Sequence, residues 1–298
     1  MSGSNYHCAS AGAAHMATFR NAEGLQNVND VDAACWLAAE AFAAGVPRVC
    51  AQLIGLLVLC GLVLDSPVHH CVEYFAGCEA LAGGFRLRGY RALPFELDLD
   101  PVGGTHDMNT AVGFAHAIVL AVLCVRGGYG HLATVCSSWV WLSRSATMRS
   151  SGMPNGFGDN ATVVDANVMT SRSVLLLWIL DCRGFMATLE QPTSSVMPHY
   201  FRMQEWFSRR AVYRYRVLLG YFGADSPKPI YLWSTSACVA GILEKYTRDA
   251  LPVSAGVYTK VLRNGHMCID GGAKLKESQA YPVDFGHAMV GNVFVSVV

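Results

Sequence analysis

The chain has 298 residues, of which 52% are apolar and 15% charged, with a mean hydropathy of +0.30 and a formal net charge of zero. That length is ample for a buried core in one large domain or two small ones, and the composition excludes a chain disordered over most of its length. With no net charge, no global field attracts nucleic acid or an anionic membrane, so any such site needs a local patch.

Residues 1–30, rich in Gly, Ser, Ala and Asn, read as a flexible tail. Residues 31–66 read as a helical extension, broken at Gly45-Val46-Pro47. Its second piece, VCAQLIGLLVLCGLVL (49–64), is uncharged and closely bracketed by Arg48 and Asp65. A spanning helix needs roughly 20 residues, so the run reads as a buried or interface helix, with a membrane anchor as the alternative. From residue 67 to 298, strands and helices alternate. HCVEYFA (70–76) reads as a buried strand, residues 79–89 as a helix and YRALPFEL (90–97) as a second strand. A loop leads to a short third strand at THDM (105–108), then an apolar helix over 110–125 stopped by Gly127-Gly128, then a strand over 129–135. A long polar segment follows Cys136, and loops of that length are often functional. A helix over 163–184, a strand over 185–190, a helix near 195–210 and a strand pair around SPKP complete the pattern, with a short hairpin within GVYTKVLRNGHMCIDGG. This order implies an α/β, Rossmann-like fold, a mostly parallel sheet with helices on both faces, binding ligands outside the carboxyl ends of its strands.

The eleven cysteines are odd in number and form no CxxC pair, and MSGSNYHCAS does not look like a signal peptide. A reduced compartment, cytoplasmic or nuclear, and no structural zinc site are expected. The ten histidines show no HExxH or HxxxH spacing, and His69 and His70 read as strand-edge residues. No metal is expected.

The strand ends carry the functional signal. In order they deliver Gly77, then Glu96 and Asp98, then Asp107, then Cys136, then Glu190. A glycine turn before a helix lets backbone approach a ligand, and an acid after the second strand can accept both hydroxyls of a ribose.

With these residues in place, the sequence resembles class I S-adenosylmethionine-dependent methyltransferases, and more closely the divergent cytosine-5 DNA methyltransferase-like proteins of phages and algae. EYFAG (73–77) resembles the cofactor loop D/E-x-F-x-G-x-G, so Phe75, Ala76 and Gly77 would line S-adenosylmethionine. FELD (95–98) resembles the second acidic motif, with Glu96 on the ribose, and HDM (106–108) the third, with Asp107 facing the adenine amine. TVCSSWVWLSRS (134–145) resembles the PPC-x-x-x-S segment, TLEQP (188–192) the ENV motif, YFGADSPKPIYLW (221–233) the FG-x-P-x-x-K segment, and AYPVDFGHAMV (280–290) the terminal motif that closes onto the cofactor pocket. The resemblance implies that Cys136 adds as a thiolate to carbon 6 of cytosine, while Glu190 hydrogen-bonds ring nitrogen 3 and supplies a proton there. A base within a duplex would be flipped out to reach them. Arg144, Arg149 and Lys228 would meet nucleic-acid phosphate.

Three departures set up a second reading. Glu79 stands where the cofactor loop has its second glycine, Val135 stands where a proline precedes the cysteine, and only about 45 residues separate the PKP segment from the terminal motif, too few for a target-recognition domain. These features suit a methyltransferase-like module that binds or interacts without catalysis. Elsewhere, SSWVWLS reads as packing under the long loop, with base stacking as the alternative, and SRRAVYRYR (208–216) as a solvated strand with Tyr213 and Tyr215 on one face.

Overall fold

The computed structural model describes residues 69–182, 184–245, 259–263, 266–270 and 279–294. The tail at 1–30, the extension at 31–66 and the apolar run at 49–64 lie outside the described residues. In chain order the elements are β1 (His69–Tyr74), α1 (Ala80–Leu87), β2 (Ala92–Phe95), α2 (Ala111–Val122), β3 (Cys124–Leu132), α3 (Arg144–Thr147), α4 (Ala161–Cys182) and β4 (Met186–Pro192). There follow α5 (Phe201–Arg209), β5 (Tyr213–Leu218), β6 (Pro229–Ser234), β7 (Thr259–Arg263), β8 (His266–Asp270) and α6 (Val283–Phe294).

The fold is α/β. A mixed sheet has the order β2-β1-β3-β4-β6-β5, and β7 and β8 form a separate hairpin. The pairs β1–β2, β1–β3 and β3–β4 are parallel. Strand β6 runs antiparallel to both β4 and β5. Because β2 lies on one side of β1 and β3 on the other, the chain reverses its direction of travel across the sheet at β1. Such a switch point opens a crevice beyond the carboxyl ends of the two strands, the usual ligand position in open α/β sheets.

Strand alternation divides the core into two layers. Val72 and Tyr74 point into one, with Phe114 of α2, Leu176 of α4, Leu189 and Trp206 of α5. Cys71 points into the other, with Leu81 and Phe85 of α1, Tyr129, Leu232, and Phe285 and Met289 of α6. In this second layer α6 packs against α1 so closely that a Cβ built on Gly286 would lie 2.1 Å from the Ala80 carbonyl oxygen. Only glycine permits that approach. Helix α4 contains a 21-residue stretch, Ala161–Asp181, apolar enough to cross a membrane, but 72% of its most apolar window is buried inside the protein, as befits a core helix.

Two expectations change. No strand forms at THDM; residues 100–110 make turns instead. Local side chains capture the backbone there. Asp100 accepts from the Gly103 and Thr105 amides at 2.8 and 3.2 Å, Asp107 from the Asn109 amide at 2.8 Å, and Thr110 caps α2 by accepting from the Gly113 amide at 2.9 Å. Short polar side chains that satisfy neighbouring amides compete with a sheet ladder. Second, Gly127 and Gly128 do not stop a helix before β3 but lie inside that strand. The register jumps from His69–Cys124 to Cys71–Tyr129, a bulge absorbed by Gly127 at φ 77°.

Candidate active site

The loop after β1 turns on three left-handed residues, Phe75 (φ 59°), Gly77 (φ 51°) and Glu79 (φ 57°). The Phe75 and Ala76 amides both donate to the Phe95 carbonyl, at 2.7 and 3.2 Å, which ties the loop to the end of β2. Glu96 follows directly. Its Oε2 accepts from the Gly77 amide at 2.8 Å and its Oε1 from the Leu97 amide at 2.9 Å. A Cβ on Gly77 would meet nothing within 4 Å, so the loop presents open space on that side. Glu79 does not fill that space. It begins α1 and forms an ion pair with Arg86 on the same helix.

Asp107 sits in the turn before α2 rather than at a strand end. The turn is held from behind by Arg172 of α4, which donates to the Met108 and Thr110 carbonyls at 2.7 and 3.0 Å. Gly113 makes this arrangement possible, because a Cβ there would lie 2.0 Å from the Asp107 carbonyl oxygen.

Cys136 lies beyond the end of β3, half-buried, in a turn whose Trp139 and Val140 amides donate back to its carbonyl at 2.8 and 3.1 Å. No proline shapes this turn. Gln191, fully buried in β4, donates to the Thr134 carbonyl and accepts from Ser195 Oγ at 3.0 Å, so the segment leading to the thiol is clamped from the neighbouring strand. Glu190 lies within its strand rather than at the expected end, because antiparallel β6 extends the ladder through Pro192. Its carboxyl is buried and accepts from the Tyr281 hydroxyl at 2.8 Å.

Lys228, at φ 32° just before β6, completes the group. Its Nζ donates to the Gln279 carbonyl at 3.1 Å and lies 5.7 Å from the centre of the Tyr281 ring. Burial lowers its basicity while Glu190, Cys136 and Cys78 act to raise it. Burial raises the Glu190 carboxyl above its ordinary range, opposed by Lys228 and by the Tyr281 hydrogen bond. Burial, aided by the Glu190 charge, pushes the Cys136 thiol up to about 11, with Lys228 acting in the opposite sense. Among the described residues, the Lys228 charge therefore acts on both the Cys136 thiol and the Glu190 carboxyl, opposing the effect of burial on each.

Arg144 is exposed on α3 and lines a cleft of about 180 Å³ with Trp139, Trp141 and Arg149. Arg149 is not available to phosphate. It is buried, stacks on Trp139 at 3.5 Å, and donates to Ser138 Oγ at 3.0 Å, to the Val163 carbonyl at 3.1 Å and to the Pro154 carbonyl. The long loop is thus stapled around this guanidinium. Of its two tryptophans, Trp139 is fully buried whereas Trp141 is 64% exposed. Tyr213 and Tyr215 do share a face of β5, with ring centres 6.4 Å apart.

Sequence reasoning missed a buried polar row. Glu73, His131 and Thr188 stand side by side on β1, β3 and β4, all fully buried. The Glu73 carboxylate accepts from the Ala82 and Leu81 amides at 2.7 and 3.4 Å, capping α1 from below, and burial raises its pKa to about 7. A signal existed: Tyr129 and His131 in β3, and Thr188 and Glu190 in β4, recur at period two and so share a face of each strand. Among the described residues no group of three or more metal-ligating side chains occurs. Comparison with known proteins returns nothing: no family model, no curated protein and no solved structure matches this chain.

Proposed function

We propose that the chain is an S-adenosylmethionine-dependent methyltransferase whose acceptor is a cytosine-type base in nucleic acid. The observation that carries this reading is geometric: the switch-point loop turns on Gly77 toward Glu96 beside open space, while residues 279–281 hold both the Glu190 carboxyl and Lys228. The open side of Gly77 and the Glu96 carboxylate suit a ribosyl group with its methionine arm, and Glu79 leaves that space clear by pairing with Arg86. Asp107 would meet the adenine. S-adenosylmethionine, when bound, supplies an electrophilic methyl group.

The chemistry asks two things of the chain. Cys136 must act as a thiolate, and Glu190 must carry a proton to give to the ring. A thiol with a pKa of about 11 is ionised to about one part in ten thousand at neutral pH. Protonating Glu190 removes the charge that opposes ionisation and leaves Lys228 to the sulfur. Proton uptake by the carboxyl and release by the thiol are thereby linked. Trp141 and Arg144 beside the cleft would stack on a neighbouring base and meet a phosphate. A reducing setting, cytoplasm or nucleus, suits an unpaired reactive thiol.

The runner-up is a module that binds without turnover, favoured by the burial that pushes the Cys136 thiol up to about 11. Calorimetric titration with S-adenosylmethionine, with Asp107→Ala as control, tests the shared part of both readings. Micromolar binding that the variant loses supports the cofactor site; no binding by folded protein removes it. With binding in hand, Cys136→Ser must abolish methyl transfer to cytosine-containing nucleic acid, and unchanged turnover would sink the thiolate mechanism.

A further inference from the structure

We propose that Tyr281 is a positioning residue of the site, fixing Glu190 and, through Glu190, setting the reactivity of Cys136. The proposal rests on the reading of Cys136 and Glu190 as the reacting pair. One short stretch, residues 279–281, reaches three parts of the site at once. The Gln279 carbonyl holds Lys228 Nζ at 3.1 Å, the Tyr281 carbonyl accepts from Cys78 Sγ in the loop after β1 at 3.4 Å, and the Tyr281 hydroxyl donates to Glu190 Oε2 at 2.8 Å. This stretch is seated by α6, through the Tyr281–Phe285 ring contact at 4.9 Å and the close packing of Gly286 on α1.

Behind Tyr281 runs a buried chain of hydrogen bonds. Tyr129 Oη lies 2.6 Å from Thr188 Oγ1, which lies 2.7 Å from His131 Nδ1, and His131 Nε2 lies 3.3 Å from Tyr281 Oη. Burial depresses His131 to about 3, so its ring is neutral and has one donor nitrogen. While Tyr281 donates to a carboxylate, the direction from His131 onward is fixed. Nδ1 accepts from Thr188, or from Tyr129 whose Oη lies 3.3 Å away, Nε2–H donates to Tyr281, and Tyr281 donates to Glu190. The chain delivers donors toward Glu190 and so favours its ionised form and one orientation. The groups that face Glu190 are Tyr281, Lys228 and Cys136; Glu73 and Tyr129 act on Tyr281, and Cys78 acts on Lys228. Losing the Tyr281 hydroxyl makes Glu190 easier to protonate, which relieves Cys136 of a neighbouring negative charge.

The test needs neither cofactor nor acceptor, so its failure is separate from failure of the methyltransferase reading. The full-length protein is alkylated with iodoacetamide from pH 6 to 10, and the rate at Cys136 is read by peptide mass spectrometry in wild type, Tyr281→Phe, Glu190→Gln and the double variant. Each pKa unit removed from the thiol raises the rate about three- to fourfold at pH 8, once the fall in nucleophilicity is allowed for. Both single variants are expected to react several-fold faster than wild type, and the double variant to match Glu190→Gln. A Tyr281→Phe profile that overlays the wild type overturns the proposal. So does a double variant several-fold different from Glu190→Gln, since Tyr281 would then act on the thiol by another route. Should Tyr281→Phe not fold with its buried carboxylate left short of a donor, recovery of folding in the double variant shows that the hydroxyl serves Glu190, and a double variant that also fails to fold overturns the proposal.

Discussion

The buried carboxyl of Glu73 makes stability depend on pH in an unusual direction. Its pKa in the folded protein is about 7 against an ordinary 4.5, chiefly through burial, with the Ala82 and Leu81 amides opposing the rise. Between those two values the folded protein holds more protons at this site than the unfolded chain does. Linkage then requires stability to fall as pH rises through the window. At about 1.4 kcal/mol per pKa unit, the displacement corresponds to roughly 3 kcal/mol, absent below pH 4.5 and fully felt above pH 7. His131 acts oppositely. Its pKa is depressed to about 3, so its contribution rises with pH between about 3 and 6.5. The wild-type curve therefore mixes the two, and only a difference isolates Glu73. Glu73→Gln keeps the shape and removes the titration. Urea denaturation of wild type and variant from pH 4.5 to 8 is expected to show the variant gaining about 3 kcal/mol relative to wild type across the range. The acid end sets the baseline, where the lost hydrogen bond alone separates the two proteins. Parallel curves would mean that Glu73 titrates alike in the folded and unfolded chain, against a raised folded pKa.

Two further substitutions probe the geometry of the site. Glu79→Gly relieves a left-handed non-glycine residue, worth about 1–2 kcal/mol, and gives up a partly exposed ion pair worth at most about 1 kcal/mol. Thermal unfolding is expected to shift little or upward, with S-adenosylmethionine binding retained; a loss of binding would mean that the Glu79 side chain serves the pocket. Gly286→Ala forces a methyl group into the Ala80 carbonyl, 2.1 Å away, so that the backbone of α1 or α6 must shift. A destabilisation of about 2 kcal/mol or more is expected, with faster alkylation of Cys136 as the Tyr281 stretch lifts from Glu190. Unchanged unfolding would show that α6 is not pressed against α1.

The alternation of elements was legible because it is written locally. Apolar runs bounded by glycines and polar turns marked β1, α1, β2, α2, α4, β4 and the β5–β6 pair within a few residues, and an acid directly after a strand, as at Glu96, needs no tertiary knowledge to place. Local reading failed where backbone amides had closer partners than a neighbouring strand. Asp100, Asp107 and Thr110 turned an expected strand into capped turns, and a bulge drew Gly127 and Gly128 into β3. Local patterning therefore set the order of strands and helices and the residues offered at their ends. Which of those residues meet was decided by tertiary structure alone. Glu190 and Tyr281 are separated by 91 positions and Cys78 and Tyr281 by 203, distances over which no local pattern constrains a contact. Desolvation was likewise invisible in the sequence. Glu73, His131 and Glu190 have ordinary acid and base character in an isolated strand, and acquire their shifted pKa values only when α1, α6 and the neighbouring strands exclude water from them.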